Sequence, residues 1–281
     1  MIEMQEPKPF FKWAGGKRQL LKELLATAPP EFNNYYEPFL GGGALFFKLS
    51  YQNKINKCYL NDSNSVLINA YRVVKENPDK LIKELTSGAY PNTKENFLKI
   101  REAEPTDPIK ATARFLYLNR TAFNGLYRVN SKGKFNVPFG KYDNPNICDQ
   151  ENIKAVSEAL QKDELTNFDF QEAVNSTKKK DFIYFDPPYA PLNKTSNFTS
   201  YTKEDFTEKD QERLAELFKA LDKKGCLVML SNSDAPLIRK LYDGFSIKEV
   251  KATRMINCKA KGRGKITELI ITNYPQANPK N

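Results

Sequence analysis

Short apolar segments with strand character alternate with amphipathic helical patterns in the first quarter of the chain, and this alternation restricts the possible folds most strongly. A helical spacing of leucines over residues 19–28 ends at two prolines, and a short aromatic strand follows at 35–40. A second helical pattern begins at Ala44, a second strand covers Cys58 to Leu60, and Ser63 to Asn77 is again helical. This β-α-β-α order is typical of a doubly wound α/β domain.

A helical segment interrupts the alternation after Asn77. Residues 78–122 predict helices separated by three prolines, and the following stretch, 124–142, predicts a hairpin with a turn at Ser131-Lys132-Gly133. We interpret residues 75–164 as an inserted module.

Strand patterns return in the last part of the chain, at Asn167–Phe170, Phe182–Phe185, Cys226–Leu230, Phe245–Val250 and Glu268–Asn273. Between the second and the third of these, a helix is predicted to start near Thr207, because Asp210 stands in the capping-box position. Both ends of the chain therefore contribute to the α/β part, and the inserted module lies between them.

The chain carries a formal net charge of +10 and contains no histidine. A basic surplus of this size points to a polyanionic partner. Three acid-free segments hold 18 of the 44 basic residues, namely Pro7–Lys22, Lys110–Lys141 and Lys251–Lys265. The absence of histidine excludes Ser-His and Cys-His nucleophiles, imidazole bases and His-ligated zinc. An enzyme of this composition works with carboxylates, backbone groups or a cofactor.

The tetrapeptide Asp186-Pro187-Pro188-Tyr189 directly follows the apolar strand at 182–185. Ligands of open α/β sheets bind at the carboxyl ends of strands, so this acid is placed for chemistry. Because proline has no N–H, the Asp186 carboxylate and the Pro187 carbonyl present acceptors only, which suits an amino group with two N–H donors. Tyr189 offers a flat face on which a base can stack. The alternative is a strand-end acid followed by a rigid turn.

A glycine turn at Gly41 to Gly43 follows the first strand, and Asp62 ends the second. In Rossmann-like sites an acid at this place accepts hydrogen bonds from ribose hydroxyls, so the two features suggest an adenosine-type cofactor. The alternative is that the glycines make a tight turn and that Asp62 caps the helix beginning at Ser63. The only tryptophan, Trp13, lies beside a Gly-Gly turn and several cations, where it fits a cofactor contact as well as a place in the core.

Basic, amide and aromatic side chains are interleaved over residues 119–142. Arg and Asn read base edges, Lys binds phosphates, and aromatic rings stack on bases or wedge between them. We therefore interpret this hairpin as a nucleic-acid-binding element, with a solvated loop as the alternative. The second basic stretch, Lys251–Lys265, predicts a phosphate-binding loop before the last strand.

The chain resembles a known family, the Dam-type N6-adenine DNA methyltransferases, and within it the DpnM-like, GATC-specific enzymes of restriction-modification systems. The resemblance extends from Phe10 to Tyr274 and is carried by FFKWAGGKRQLL, YYEPFLGGGALFF, NGLYRVNSKGKFNVPFGKY, YFDPPY, FTSYT, VMLSNS and GRGKITELIITNY. It implies a Rossmann-like sheet that binds S-adenosyl-L-methionine, with an inserted, mostly helical DNA-recognition module that contains a β-hairpin. Residues 1–74 and 165–281 would form the catalytic domain, and residues 75–164 the recognition domain.

The resemblance also implies roles for individual residues of this sequence. The catalytic group comprises Asp186, Pro187, Pro188 and Tyr189. The cofactor contacts fall on Trp13, Lys17, Glu37, Phe39, Gly41, Gly43, Asp62 and Asp186. The contacts with DNA fall on Lys12, Phe123, Asn124, Leu126, Arg128, Asn130 and Pro138. No metal is implied.

These observations lead us to expect a site-specific adenine-N6 DNA methyltransferase that flips its target adenine out of double-stranded DNA, with GATC as the site. We expect it to protect DNA beside a GATC restriction endonuclease, with an orphan or phage regulatory enzyme as the alternative. A cytosine-N4 methyltransferase would share the amino-group chemistry, but usually carries Ser as the first residue of the tetrapeptide.

Other classes of protein fit less well. Cytosine-C5 chemistry needs a cysteine nucleophile, typically after a proline, and no cysteine of this chain follows one. An RNA or protein amide methyltransferase has no need for the hairpin, and a non-catalytic DNA-binding protein has no reason for both Asp62 and the tetrapeptide. Widely spaced cysteines and the absence of a signal peptide or an apolar spanning segment favour a cytoplasmic protein, which we expect to be a monomer or a weak dimer.

Overall fold

A seven-stranded sheet forms the centre of the protein in a computed structural model, which describes residues 5–13, 15, 17, 19–192, 206–253 and 265–275. The strands are β1 (Tyr35–Glu37), β2 (Cys58–Asn61), β3 (Glu164–Thr166), β4 (Phe182–Phe185), β5 (Leu227–Ser233), β6 (Ser246–Thr253) and β7 (Lys265–Thr272). Their order across the sheet is β3-β2-β1-β4-β5-β7-β6. The pairs among β1 to β5 are parallel, whereas β7 is antiparallel to both β5 and β6. The carboxyl ends of β1, β2, β4 and β5 therefore lie at one end of the sheet, together with the first residues of β7.

Helices in the described part of the chain are α1 (Leu21–Thr27), α2 (Ala44–Tyr51), α3 (Ser65–Glu76), α4 (Pro78–Leu85), α5 (Lys94–Glu102), α6 (Pro108–Thr121), α7 (Gln150–Ala159), α8 (Glu208–Lys223) and α9 (Pro236–Leu241). Helix α8 begins with the predicted capping box, in which Thr207 and Asp210 each bind the other's backbone N–H. Prolines separate α4, α5 and α6, as the sequence predicts.

Successive side chains of the buried strands enter two different cores. Phe182 and Tyr184 of β4 belong to the core that also contains residues of α1 to α4, α6 and α7. Ile183 and Phe185 belong to the core on the other face, with residues of α8 and α9. A sheet with both faces covered shows this alternation because neighbouring side chains of a strand point to opposite faces. The predicted α/β class with a Rossmann-like sheet is confirmed.

The predicted strand at 167–170 is wrong, since the strand of this region is β3, which ends at Thr166. Its parallel ladder with β2 stops at the pair Asn61 and Thr166. Beyond it the Asn61 side chain replaces the ladder, because its Oδ1 accepts the N–H of Phe168 at 2.8 Å and its Nδ2 donates to the carbonyl of Phe168 at 3.1 Å. Phe170 is apolar, which favoured a strand, but it lies in a loop and its side chain is buried in the core.

The hairpin after α6 is less regular than predicted. Its two arms are joined by isolated antiparallel bridges, Ala122 to Phe139 and Val129 to Phe135, and not by continuous strands. Phe135 and Val137 anchor the second arm in a small core that includes Tyr117 of α6. The hairpin is thus attached to the helices by apolar packing. The division of the chain into domains at 74/75 and 164/165 stays a prediction.

Candidate active site

Asp186 lies directly after β4, at the carboxyl end of the sheet. About one fifth of its side chain is exposed, and the Nζ of Lys17 lies 2.8 Å from its Oδ1. Burial raises the pKa of Asp186 to about 6, and the Lys17 ammonium opposes that rise. The ionised carboxylate therefore prevails at neutral pH, where it is an acceptor for N–H donors.

The ammonium of Lys17 stands between this carboxylate and an aromatic ring. Its Nζ donates to the carbonyl of Gly15 at 2.7 Å and lies 4.6 Å from the centroid of the Tyr189 ring. Lys17 is buried, so the cation interacts with the carboxylate and the ring away from most of the solvent. The structure thus brings together Lys17, Asp186 and Tyr189, which the sequence predicts as site residues.

Two buried amides hold the backbone of the tetrapeptide and of the residue after it. Gln211 of α8 donates its Nε2 to the carbonyl of Pro188 at 2.9 Å. Asn232 of β5 accepts the N–H of Ala190 on its Oδ1 at 3.0 Å and donates its Nδ2 to the Oε1 of Gln211 at 3.0 Å. Because both amides are almost completely buried, these hydrogen bonds fix the loop with little competition from water.

The glycine turn connects the ends of β1 and β2 through Asp62. The N–H of Gly41 donates to Asp62 Oδ2 at 2.9 Å, and the N–H of Asn64 donates to Oδ1 at 2.9 Å. Burial raises the pKa of Asp62 to about 6, against these two N–H donors. The alternative in which Asp62 caps the next helix is wrong, because Asn64 caps α3 by accepting the N–H of Val66. The Asp62 carboxylate organises the glycine turn instead.

Further predicted cofactor residues surround this turn. Glu37 is buried at the end of β1, where the hydroxyl of Tyr35 donates to its Oε2 at 2.7 Å. Burial raises the pKa of Glu37 to about 8, and the hydrogen bond from Tyr35 opposes the rise. Gly43 begins α2 with a φ of 65°. Phe39 stacks at 5.4 Å on Phe170.

Asn119 of α6 joins the predicted DNA-recognition segment to the amino-terminal segment. Its Oδ1 accepts the N–H of Lys12 at 2.7 Å, and its Nδ2 donates to the carbonyls of Lys12 at 2.8 Å and Gly125 at 3.2 Å. The Nζ of Lys12 lies 4.9 Å from the ring centroid of Tyr142. Lys12, predicted to contact DNA, is therefore held beside the turn that contains Phe123 and Asn124.

Most of the predicted DNA-contacting side chains are exposed. Phe123 exposes 51% of its surface although its ring is large and apolar, and Asn124 beside it adopts a φ of 55°. The N–H of Phe123 donates to the carbonyl of Pro138 at 2.9 Å, which joins the two ends of the hairpin. Leu126 is partly buried against the small core of the hairpin.

The hairpin positions two further predicted residues in different ways. Arg128 donates its Nε to the Oδ1 of Asn136 on the opposite arm at 2.8 Å and is exposed. Asn130 accepts the backbone N–H groups of Lys132 and Lys134, each at 3.0 Å, on its Oδ1. The amide of Asn130 thus shapes the turn, while the guanidinium of Arg128 is oriented from one side.

The sequence matches the family of D12 class N6 adenine-specific DNA methyltransferases over residues 13–256. The chain belongs to this family. It is 49% identical over 275 residues to the type II methyltransferase M1.LlaDCHI of Lactococcus lactis subsp. cremoris, over 95% of both chains. It is 46% identical to the type II methyltransferase M.MjaIII of Methanocaldococcus jannaschii, over 96% of this chain and 100% of that protein. It is 38% identical to the DNA adenine methylase of Vibrio cholerae, over 97% of this chain and 98% of that protein.

The carboxyl groups at the candidate site of this D12 methyltransferase fit S-adenosyl-L-methionine. That cofactor carries ribose hydroxyls, an amino group and a positive sulfonium centre. The carboxyl end of the sheet presents the carboxylates of Asp62 and Asp186, which accept hydrogen bonds and attract positive charge, while Glu37, with a pKa of about 8, is mostly protonated at neutral pH and can also donate. Among the residues described, no group of three or more Cys, Asp or Glu side chains is arranged to hold a metal ion. No helix in the same residues is long and apolar enough to cross a membrane.

Three polar residues of the methyltransferase site escaped the sequence analysis, namely Gln211, Asn232 and Glu268. The hydroxyl of Tyr189 donates to Glu268 Oε2 at 2.8 Å. The signal for Glu268 is an acid directly before three apolar residues of a strand, and the signal for Asn232 is an amide within a buried strand. The predicted phosphate-binding loop falls largely on residues 254–264, outside the described residues.

We expect Gly41→Ala to weaken the binding of S-adenosyl-L-methionine to the methyltransferase. Gly41 has a φ of +47°, and a Cβ there would lie 3.0 Å from Cδ1 of Trp13, a predicted cofactor contact. Gly88→Ala is the matched control, because Gly88 also has a positive φ but no atom within 4 Å of the added Cβ. Both variants lose about 1–2 kcal/mol of stability through the left-handed backbone. Titration calorimetry should show weaker binding for Gly41→Ala alone, and equal affinities would contradict the assignment of the turn to the cofactor.

Proposed function

We propose that this D12 methyltransferase transfers the methyl group of S-adenosyl-L-methionine to N6 of an adenine in 5′-GATC-3′ of double-stranded DNA. The observation that supports it most directly is the position of the Lys17 ammonium. Its Nζ lies 2.8 Å from Asp186 Oδ1 and over the face of Tyr189, 4.6 Å from the ring centroid. An adenine amino group that took this position would meet an acceptor, with its ring against an aromatic face.

The residues of the chain act by orienting the amino group. The Asp186 carboxylate accepts one N6 hydrogen in place of the Lys17 ammonium. We assign the second hydrogen to the carbonyl of Pro187, because Gln211 already engages that of Pro188. With both N6 hydrogens bound by acceptors, the N6 lone pair points away from these acceptors. The ring of Tyr189 stacks on the adenine and fixes the orientation of its plane. S-adenosyl-L-methionine supplies an electrophilic methyl group. No residue of the chain needs to form a covalent intermediate.

Access to the base requires that the adenine leave the duplex, since its amino group is not reachable for reaction inside the stack. The exposed ring of Phe123, beside Lys12 and Asn124, supports such an opening, because an apolar wedge between base steps unstacks them. We place the target strand along this turn, which Asn119 joins to the segment that carries Lys12 and Lys17.

A role in a restriction-modification system is supported by the relatives. Two proteins that are 49% and 46% identical to this chain are named type II methyltransferases, and both are covered almost completely. We propose that the enzyme protects DNA against an endonuclease of the same specificity and acts as a monomer or a weak dimer.

The test is to map methylated adenines by single-molecule sequencing of DNA from a Dam-deficient host that expresses the full chain. We expect N6-methyladenine in nearly all GATC sites. Modification of another motif would overturn the specificity, and modified cytosine without modified adenine would overturn the proposed reaction.

The pH dependence follows from the carboxylate of Asp186. With a pKa raised to about 6 by burial, this acid is protonated as the pH falls through 6, and a protonated carboxyl loses acceptor capacity. We expect kcat/KM for a GATC duplex, which reports the free enzyme with Lys17 beside Asp186, to fall about tenfold per pH unit well below 6. A kcat/KM that stays flat down to pH 5 would contradict the need for the ionised form.

A further inference from the structure

Glu268 places a carboxylate beside the tetrapeptide from a strand that is remote in the chain. Its Oε2 accepts the hydroxyl hydrogen of Tyr189 at 2.8 Å, across 79 residues of sequence. The next three residues, Leu269, Ile270 and Ile271, are completely buried and apolar. Glu268 is the one acid of β7 and directly precedes its buried apolar residues.

The antiparallel course of β7 explains how Glu268 reaches the site. In the ladder with β5, Glu268 stands opposite Ser233, the last residue of β5. The beginning of β7 thus lies at the carboxyl end of the sheet, next to the loop that follows β4. The side-chain alternation agrees, because Ile270, two residues on, enters the same core as Tyr184 of β4.

The charge of Glu268 opposes the ionisation of its neighbours. Together with burial, it raises the pKa of Tyr189, so that the phenol keeps the hydrogen it donates. It also raises the pKa of Asp186, against the effect of Lys17. A second carboxylate near an acid that must be ionised is an electrostatic cost. The hydrogen bond that Tyr189 donates to Glu268 is a favourable contact that opposes this cost.

The contacts divide the positioning of Tyr189 between two sets of residues. Gln211 and Asn232 fix the backbone on both sides of Tyr189, through Pro188 and Ala190. These backbone contacts do not act on the two side-chain torsions of the tyrosine. The Lys17 ammonium lies over the ring, and the hydrogen bond to Glu268 at the far end of the ring restricts both torsions.

We propose that Glu268 is a positioning residue for methyl transfer, because its carboxylate holds the Tyr189 ring in the orientation in which the target adenine stacks. The inference rests on the proposed function, in which Tyr189 is the stacking surface. Glu268 does not touch the base in this proposal and acts through the tyrosine alone.

A double-mutant cycle on the full-length enzyme tests the proposal, with a duplex that carries one GATC site. We expect Glu268→Ala and Tyr189→Phe each to lower kcat about tenfold, as loss of a hydrogen bond to a charged group does. The double variant should be no slower than the slower single variant, since both changes remove the same contact. The KM for S-adenosyl-L-methionine should stay unchanged, and Glu268→Gln should retain most of kcat because its amide oxygen still accepts.

Glu249→Ala is the matched control, because Glu249 lies on β6 opposite Leu269 and pairs with Arg239. It removes an acid from the same part of the sheet and should leave kcat unchanged. Losses that multiply in the double variant would overturn the proposal, as would a Glu268→Gln enzyme that is folded by circular dichroism and as slow as Glu268→Ala. If the wild-type chain methylates no adenine, the proposed function falls and this inference with it. If it does, an additive cycle refutes the inference alone.

Discussion

Asp186→Ala should lower the rate of adenine methylation by about a hundred- to a thousandfold, the effect of removing one positioned polar group that acts on the reacting centre. The variant loses the carboxylate that lies 2.8 Å from the Lys17 ammonium, where we place the amino group. The change removes the desolvation cost that raises the pKa of Asp186, but it also leaves the buried Lys17 ammonium without its partner, so circular dichroism must show that the variant is folded. Single-turnover transfer of labelled methyl groups to a GATC duplex measures the effect.

Asp243→Ala provides the control for this experiment. Asp243 is an exposed acid before β6, at the end of the sheet opposite to the tetrapeptide, and its loss changes the net charge equally. We expect its methylation rate to match that of the wild type. An Asp186→Ala enzyme with a rate within a few-fold of this control would remove Asp186 from the reaction.

Local patterns in the sequence predict the parts of the site that depend on neighbouring residues. The strand before Asp186 and the glycine turn before α2 can be predicted from sequence, because strand and turn propensities act over a few residues. The association of these segments is also predictable, since parallel strands bring their carboxyl ends to one place. Asp62 and Asp186 accordingly lie at the same end of the sheet. Lys17 precedes α1 and follows no described strand, so this rule does not predict its contact with Asp186, 169 positions away.

Contacts that depend on the pairing register of strands cannot be predicted from such local patterns. Glu268 reaches Tyr189 only because β7 is antiparallel and pairs Glu268 with Ser233. A shift of one residue would turn the carboxylate to the other face of the sheet. The wrong strand at 167–170 has a similar origin, because the hydrogen bonds of the Asn61 side chain, and not the apolar pattern, decide where β3 ends.

The two halves of the proposed mechanism are connected through the amino-terminal segment. Lys17 contacts Asp186, while Lys12, five residues earlier, shares Asn119 with the turn at Gly125. Between them the ring of Trp13 lies 5.5 Å from that of Tyr127, just before Arg128. The hairpin that we propose to contact DNA thus packs against the amino-terminal segment that carries Lys12 and Lys17. Because the hairpin and Asp186 contact the same segment, a change in the hairpin can alter the methylation rate as well as DNA binding, and both should be measured.

Arg128→Ala should reduce the discrimination between GATC and sites in which the guanine is replaced. The side chain is exposed, and Asn136 holds its guanidinium through Nε at 2.8 Å. A fixed, planar guanidinium suits bidentate binding to guanine O6 and N7, which contributes about 1–3 kcal/mol of discrimination. We therefore expect the ratio of kcat/KM values for the two duplexes to fall by about ten- to a hundredfold.

Lys132→Ala separates base recognition from phosphate binding. Lys132 lies in the exposed turn of the same hairpin, and its removal should weaken binding to all duplexes equally. The slope of log K against log salt concentration should become shallower by about one. Competition of matched duplexes at two salt concentrations measures both variants. If Arg128→Ala weakened all sequences equally, its guanidinium would bind phosphate, and recognition of the guanine would pass to the remaining exposed side chains of the hairpin. A loss of discrimination confined to Arg128→Ala, with uniform loss in Lys132→Ala, would assign recognition of the guanine to Arg128, whose guanidinium Asn136 orients.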